Sequence, residues 1–314
     1  MPTTENRGYP ECAEKGLIAV RGTRLYVEMS GGSKDAALLY LHGGPGASCI
    51  DFCWHQAGVL SAHMMVVALD QRGVLRSDPI PEEETFGLED IIKDCEALRV
   101  KLGIAKWTLL GHSFGAIVAF KYAVHYPQSV NKIIFETPCF DARASMRSLI
   151  AKAHEIYQAL EHPEGVVLCN SYLSCSHTPL ELWQAWGRIG QGLGSKRDNI
   201  YFHGMDPDCY NSKIDRQITD AGMWAKNRVH AAKLEAEGKF LESLIPELFK
   251  LSQPSLLIAG RFDPVCCETQ QQAYVETVKG GHMVVFEGSG HFPRLEEPER
   301  YAQEVIQFVL NSQI

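Results

Sequence analysis

One mostly parallel sheet of about eight strands, with helices on both faces and one helical insertion, is the α/β architecture this sequence predicts. Three observations carry it. Short apolar runs alternate with stretches of helical periodicity along residues 17–135. That rhythm breaks between residues 141 and 250, where the pattern is helical throughout. It resumes at Ser255 and runs to the end of the chain. The expected division is therefore a core of residues 1–140 and 251–314, with residues 141–250 as a helical cap, or lid.

Taken in order, residues 17–20 and 25–29 read as a hairpin turning through residues 21–24. Residues 37–41 and 64–69 are apolar enough for strands buried on both faces, with a short helix over 49–60 between them. Leu88, Ile91, Ile92, Cys95, Leu98 and Leu102 recur at helical spacing, and Gly103 offers the stop. Residues 107–110 form the next strand, 114–125 the helix behind it, which Pro127 closes, and 133–135 a further strand. Beyond the cap, residues 255–259 are strand, 266–279 helix, 282–286 strand and 298–310 the closing helix.

Composition narrows the function. With 314 residues, 45% of them hydrophobic and 22% charged, the chain buries a core without needing a disulfide or metal staple. A formal charge of −8 disfavours a nucleic-acid partner. Residues 1–16 carry Glu5, Arg7, Glu11, Glu14 and Lys15 without the apolar run a secretory signal needs, and no segment reads as a membrane span. The ten cysteines are irregularly spaced, with no CxxC pair and no paired ligand clusters for zinc. The expectation is a cytoplasmic protein with reduced thiols, no metal, no cofactor and no membrane partner.

The chemistry is concentrated in a few loops. Gly111-His112-Ser113-Phe114-Gly115 is a weak signal as five letters, but it sits between a strand and a helix, where it becomes a nucleophile elbow. A side chain at Gly111 or Gly115 would collide with the neighbouring strand or helix. Serine needs a base and an orienting acid to act as a nucleophile at neutral pH. Asp263 lies in the loop after strand 255–259, and His291 in the glycine-rich exit of strand 282–286, so both reach the sheet edge where Ser113 sits. Glu136, just after an earlier strand, is the competing acid. The N–H of Phe114 and the glycine-rich loop His42-Gly43-Gly44-Pro45-Gly46, with Gly44 as the expected donor, would form an oxyanion hole.

Together these motifs resemble the α/β-hydrolase superfamily over nearly the whole chain. The loop His42-Gly43-Gly44-Pro45-Gly46 followed by Asp70-Gln71-Arg72-Gly73 is similar to the proline iminopeptidase family. The resemblance implies a cofactor-free Ser113–Asp263–His291 triad under a helical cap, cleaving N-terminal residues from short peptides, with Asp70 and Arg72 bracing the loops. Three positions depart from that family's pattern: Leu75 replaces a common glycine, His112 and Phe114 replace a glycine and a tryptophan, and Gly187 follows Trp183 and Trp186 where a substrate-binding glutamate is usual. Trp183 and Trp186 are candidate pocket-lining residues. Glu155, Glu161, Glu164, Glu181, Asp206 and Asp208 are candidates to replace the missing anchor, in a cap of 14 acidic and 13 basic residues. The leading expectation is a peptidase-like serine hydrolase acting on short peptides or amides. A carboxylesterase or lactonase is the sibling reading. A small-molecule receptor or regulatory protein that retains a hydrolase site is the alternative of another class. Dehalogenase and epoxide hydrolase chemistry would need an aspartate in place of Ser113.

Overall fold

A two-residue turn opens the structure. Arg21 (φ 42°) and Gly22 (φ 79°) both take left-handed angles, which matches the twist of a tight hairpin between β1 (Glu14–Val20) and β2 (Thr23–Ser30). This computed structural model describes residues 14–32, 34–208, 214 and 218–311; most of the N-terminal stretch considered above, Cys12 and Cys209 lie outside them. The remaining strands are β3 (Ala37–Leu41), β4 (Met65–Leu69), β5 (Trp107–His112), β6 (Val130–Glu136), β7 (Ser255–Gly260) and β8 (Gly281–Phe286). They form one eight-stranded sheet in the order β1-β2-β4-β3-β5-β6-β7-β8, antiparallel over the first two pairings and parallel after them.

Strands β3, β4, β5 and β7 are buried along their whole length, as continuous apolar runs require. Successive residues divide between the two faces. Leu39, Leu109 and Ile133 pack under α1 (Leu88–Lys101) and α2 (Phe114–His125), while Leu38, Leu110 and Ile134 pack on the opposite face with Tyr301 and Phe308 of the closing helix. Helix α1 ends as its sequence suggests. Gly103 is left-handed (φ 65°), and the N–H groups of Gly103 and Ile104 return to the carbonyls of Val100 and Arg99 at 3.1 and 3.2 Å.

Between β6 and β7 the chain forms α3 (Ala142–Ala159), α4 (Pro163–Leu173), α5 (Pro179–Leu193) and α6 (Ala221–Glu237). Met146, Leu149, Ile150 and Ala153 of α3 meet Leu182, Ala185, Trp186 and Ile189 of α5, so this block has its own apolar core. After β7 come α7 (Glu268–Thr277) and α8 (Pro298–Leu310).

Two expected helices differ in form. The one over residues 49–60 is broken by a π-turn at Cys53–Ala57. The one over residues 266–279 begins only at Glu268, because the N–H groups of Val265 and Cys266 are held by the Asp263 carboxylate at 2.8 and 2.9 Å. No helix among the described residues is long and apolar enough to cross a membrane.

Candidate active site

The C-terminal ends of β3, β5, β6, β7 and β8 share one edge of the sheet, and each delivers part of the site there. Ser113 follows β5 with φ 54° and ψ −118°, a strained left-handed conformation for a residue bearing a Cβ. Its neighbours make the turn possible. A Cβ on Gly111 would collide with the start of α2, and one on Gly115 with the backbone of Leu41 at the end of β3. The Ser113 N–H is held by the Glu136 carbonyl at 3.0 Å.

His291 Nδ1–H donates to Asp263 Oδ1 at 2.9 Å, and both side chains are buried. With Nδ1 occupied, Nε2 is the nitrogen left for proton transfer. The N–H groups of Val265 and Cys266 also donate to the Asp263 carboxylate and fix its orientation. The His291 backbone is fixed as well: its N–H donates to the Tyr201 carbonyl at 2.7 Å, and its carbonyl accepts from Thr137 Oγ1 at 3.0 Å. Thr137 has only one hydroxyl proton, so its contact with His112 Nδ1 at 3.1 Å must be donated by the ring. Burial and the neighbouring Arg294 push the His112 pKa well down, which leaves the ring neutral beside His291.

The glycine-rich loop lies over Ser113. A Cβ on Gly43 would come within 3.1 Å of Ser113 Cβ, and Gly44 takes φ 116°, where side chains rarely go. Buried His42 stabilises the loop from beneath, with Nε2 accepting the Gln71 N–H at 3.1 Å and Nδ1–H donating to the Gly43 carbonyl at 3.0 Å. From the cap, Asn227 of α6 donates to the Gly46 carbonyl at 2.7 Å and accepts the Leu75 N–H at 2.8 Å. That second bond supports Leu75 at φ 32°, the position at which the sequence departs from a common glycine of the pattern it resembles. Phe114 opens α2, so its N–H is among the helix's unpaired N-terminal donors. Gly44, Phe114, Ser113 and His291 all line one cavity of about 710 Å³ between the sheet edge and the cap.

The family description "alpha/beta hydrolase fold" matches residues 36–298. The chain belongs to that family. It is similar to a proline iminopeptidase of Xylella fastidiosa, at 34% identity over 82% of this chain and 85% of that one. Among solved structures, a proline iminopeptidase-related protein from Thermus thermophilus shares the fold with a TM-score of 0.73, 20% identity and coverage of 95% and 98% of the two chains. An esterase from Exiguobacterium antarcticum does so with a TM-score of 0.66, 21% identity and coverage of 94% and 98%.

In this hydrolase, Glu136 does not face His291. It accepts from Arg294 at 2.9 Å and from Tyr301 at 3.0 Å, and Arg294 also binds Asp51, so Glu136 belongs to a buried structural network. Asp70 and Arg72 are structural as well. Asp70 takes Ser48, Cys49 and Arg76, and Arg72 binds Asp94 and Glu84. Trp183 and Trp186 are on the cavity wall. None of Glu155, Glu161, Glu164, Glu181, Asp206 and Asp208 lines the cavity; all are exposed, and Glu181 caps α5.

The acid that sequence reasoning missed is Glu235 of α6. It lines the cavity, and its carboxylate accepts from Trp183 Nε1 at 3.1 Å and Gln184 Nε2 at 3.0 Å. Its local sequence does not set it apart from the other acids of the cap. Among the described residues, Glu28, Cys49 and Cys53 bring three metal-type ligands together. The Arg76 guanidinium already sits there, donating to Glu28 at 2.6 Å and to Cys49 Sγ at 3.2 Å, and burial pushes both thiols up. A second cation in that group would meet the first.

Proposed function

We propose that this hydrolase acts by serine acyl transfer and removes the N-terminal residue of short peptides. Ser113 Oγ attacks the carbonyl carbon while its proton passes to His291 Nε2. Asp263 holds the ring and stabilises the imidazolium. The Gly44 and Phe114 N–H groups take the developing oxyanion. The tetrahedral intermediate collapses, the C–N bond breaks, and the leaving amine carries away the proton from His291. Water then enters by the same route in reverse roles and frees the acid from Ser113.

The observation that supports an aminopeptidase is Glu235. An aminopeptidase needs an anion where the substrate ammonium lands, and Glu235 is a carboxylate in the Ser113 cavity whose two hydrogen-bond donors are both neutral. It stands in for the position occupied by Gly187, where a Cβ would meet open space. The test is turnover of prolyl and alanyl anilides beside their N-acetylated forms. Acetylation is expected to lower kcat/KM by about 10- to 100-fold, the worth of a charged hydrogen bond of ~1.5–3 kcal/mol. Glu235→Gln should cost a similar factor on the free amine and little on the capped one. Equal rates on free and acetylated substrates would remove the aminopeptidase reading.

The apolar part of the cavity wall, with Ile117, Met146, Leu149 and Phe240, supports ester hydrolysis as a second activity of the same site. Aryl butyrate turnover that is lost in Ser113→Ala would establish it.

A further inference from the structure

The cavity carries charges of opposite sign at two places. Glu235 is at one. Trp183, which donates to it, packs edge-on against Phe240 with centroids 5.1 Å apart, and Phe240 packs against Phe114 at 5.8 Å. This is the side of Ser113 where the acyl group and the oxyanion donors meet. Arg188 and Arg197 are at the other. Arg197 extends across Gly190, where a Cβ would come within 2.9 Å of its Cδ and Nε, and its guanidinium lies 5.9 Å from the Trp186 ring centroid. Its charge acts on the Tyr201 hydroxyl, and the Tyr201 ring is 5.5 Å from His291. The leaving group departs toward His291, so Arg197 stands on the leaving-group side.

Arg188 is steadied by a 2.6 Å hydrogen bond to the Tyr172 hydroxyl. Among the described residues neither arginine forms an ion pair. Asp198 lines the same end.

Helix α5 sets the spacing. Gln184, Gly187, Arg188 and Gln191 all line the cavity at intervals of three and four residues, so one helical face spans both ends. Gln184 marks the Glu235 end, Arg188 is one turn on, about 6 Å, and Gln191 about 10 Å. A peptide reaches ~3.3–3.6 Å per residue, so two or three residues cover that interval.

We propose that Arg188 and Arg197 form a carboxylate subsite, and that the preferred substrates are zwitterionic di- and tripeptides with a free C-terminal carboxylate. This rests on the aminopeptidase reading above. Glu235 would hold the ammonium, Ser113 the first carbonyl, and the arginines the terminal carboxylate.

The experiment compares kcat/KM of the full chain on prolyl-alanine and prolyl-alanine amide, and repeats it in Arg188→Gln/Arg197→Gln. The free acid is expected to exceed the amide by at least tenfold in the native protein, mainly through KM. That ratio should fall toward one in the double variant. A native ratio near one, or a ratio the double variant leaves untouched, overturns the subsite. If no prolyl peptide turns over while a fluorophosphonate still labels Ser113, it is the aminopeptidase reading that has failed. The subsite is then decided by 4-carboxyphenyl butyrate against 4-carbamoylphenyl butyrate, in which the carboxylate is carried on the leaving group. A preference for the carboxylate ester that the double variant removes supports it, and equal rates overturn it.

Discussion

The two walls of the cavity are built on different electrostatic plans. On the sheet side, carboxylates end in closed sets of partners: Asp263 holds His291 and two backbone N–H groups, and Glu136 holds Arg294 and Tyr301. On the cap side, Glu235 is held by neutral donors, and Arg188 and Arg197 by a hydroxyl and an aromatic face. A closed set fixes geometry, which acyl transfer needs. A charge without a counter-charge is available to a ligand, which selection among substrates needs. On the function proposed above, the chemistry belongs to the core and the choice of substrate to the cap.

The sharpest way to break this contrast is at Ser113. Ser113→Ala should abolish fluorophosphonate labelling and lower turnover by about 10⁴-fold or more with no change in unfolding midpoint. Asp263→Asn should cost roughly 10²–10⁴ by disturbing the His291 tautomer. Normal turnover in either variant would detach the chemistry from the sheet edge.

Glu136→Ala probes the second closed set. It removes one of the buried carboxylates that Arg294 holds and leaves Asp51, and should cost about 3–5 kcal/mol of stability in urea unfolding. The folded fraction should still label with fluorophosphonate. A loss of labelling without loss of stability would make Glu136 part of the catalytic set.

On the cap side the effect should be smaller and confined to substrate. Glu235→Gln is expected to change free-amine turnover by about 10- to 100-fold and stability hardly at all, as suits a charge held by neutral donors. A large stability loss would place Glu235 among the structural carboxylates.

A further effect concerns pH. His230 of α6 donates from Nδ1 to the Arg72 carbonyl at 2.7 Å, and burial lowers its pKa to about 3. The unfolded chain binds a proton below about pH 6.5 that the folded chain refuses, so stability falls as pH drops through that window. His112, also held well down by burial, acts in the same direction. The slope is at most ~1.4 kcal/mol per pH unit per histidine. Urea midpoints should be level from pH 8 to 7 and lower at pH 5, with a shallower fall in His230→Gln. Equal midpoints at pH 7 and 5 in the native protein would contradict the neutral buried histidines.

Much of the fold was legible because its signals are local. Every strand expected from the apolar runs is present, with ends that move by at most three residues. Alternation along residues such as Leu109 and Leu110 sorts side chains between two faces whatever lies beyond them. Gly111 and Gly115 mark close approaches that a Cβ would forbid on either side of the turn at Ser113, and Gly103 marks a left-handed helix stop.

The cap was legible only as helix. Six of its acids were candidate anchors, yet the one that lines the cavity and meets Trp183 is Glu235, 52 residues along the chain from it. Asp263 and Glu136 show the same limit within the core. Glu136 ends β6 and Asp263 follows β7 at the same edge, and it is the approach of Arg294 and Tyr301 to the first, and of His291 to the second, that separates their roles. By itself, then, this sequence determined the periodicity of its strands and helices and the glycine-dependent turns, because those depend on neighbours along the chain. The partners of each charge were decided only by the tertiary structure, because a carboxylate's role is set by the groups that folding brings within about 3 Å of it.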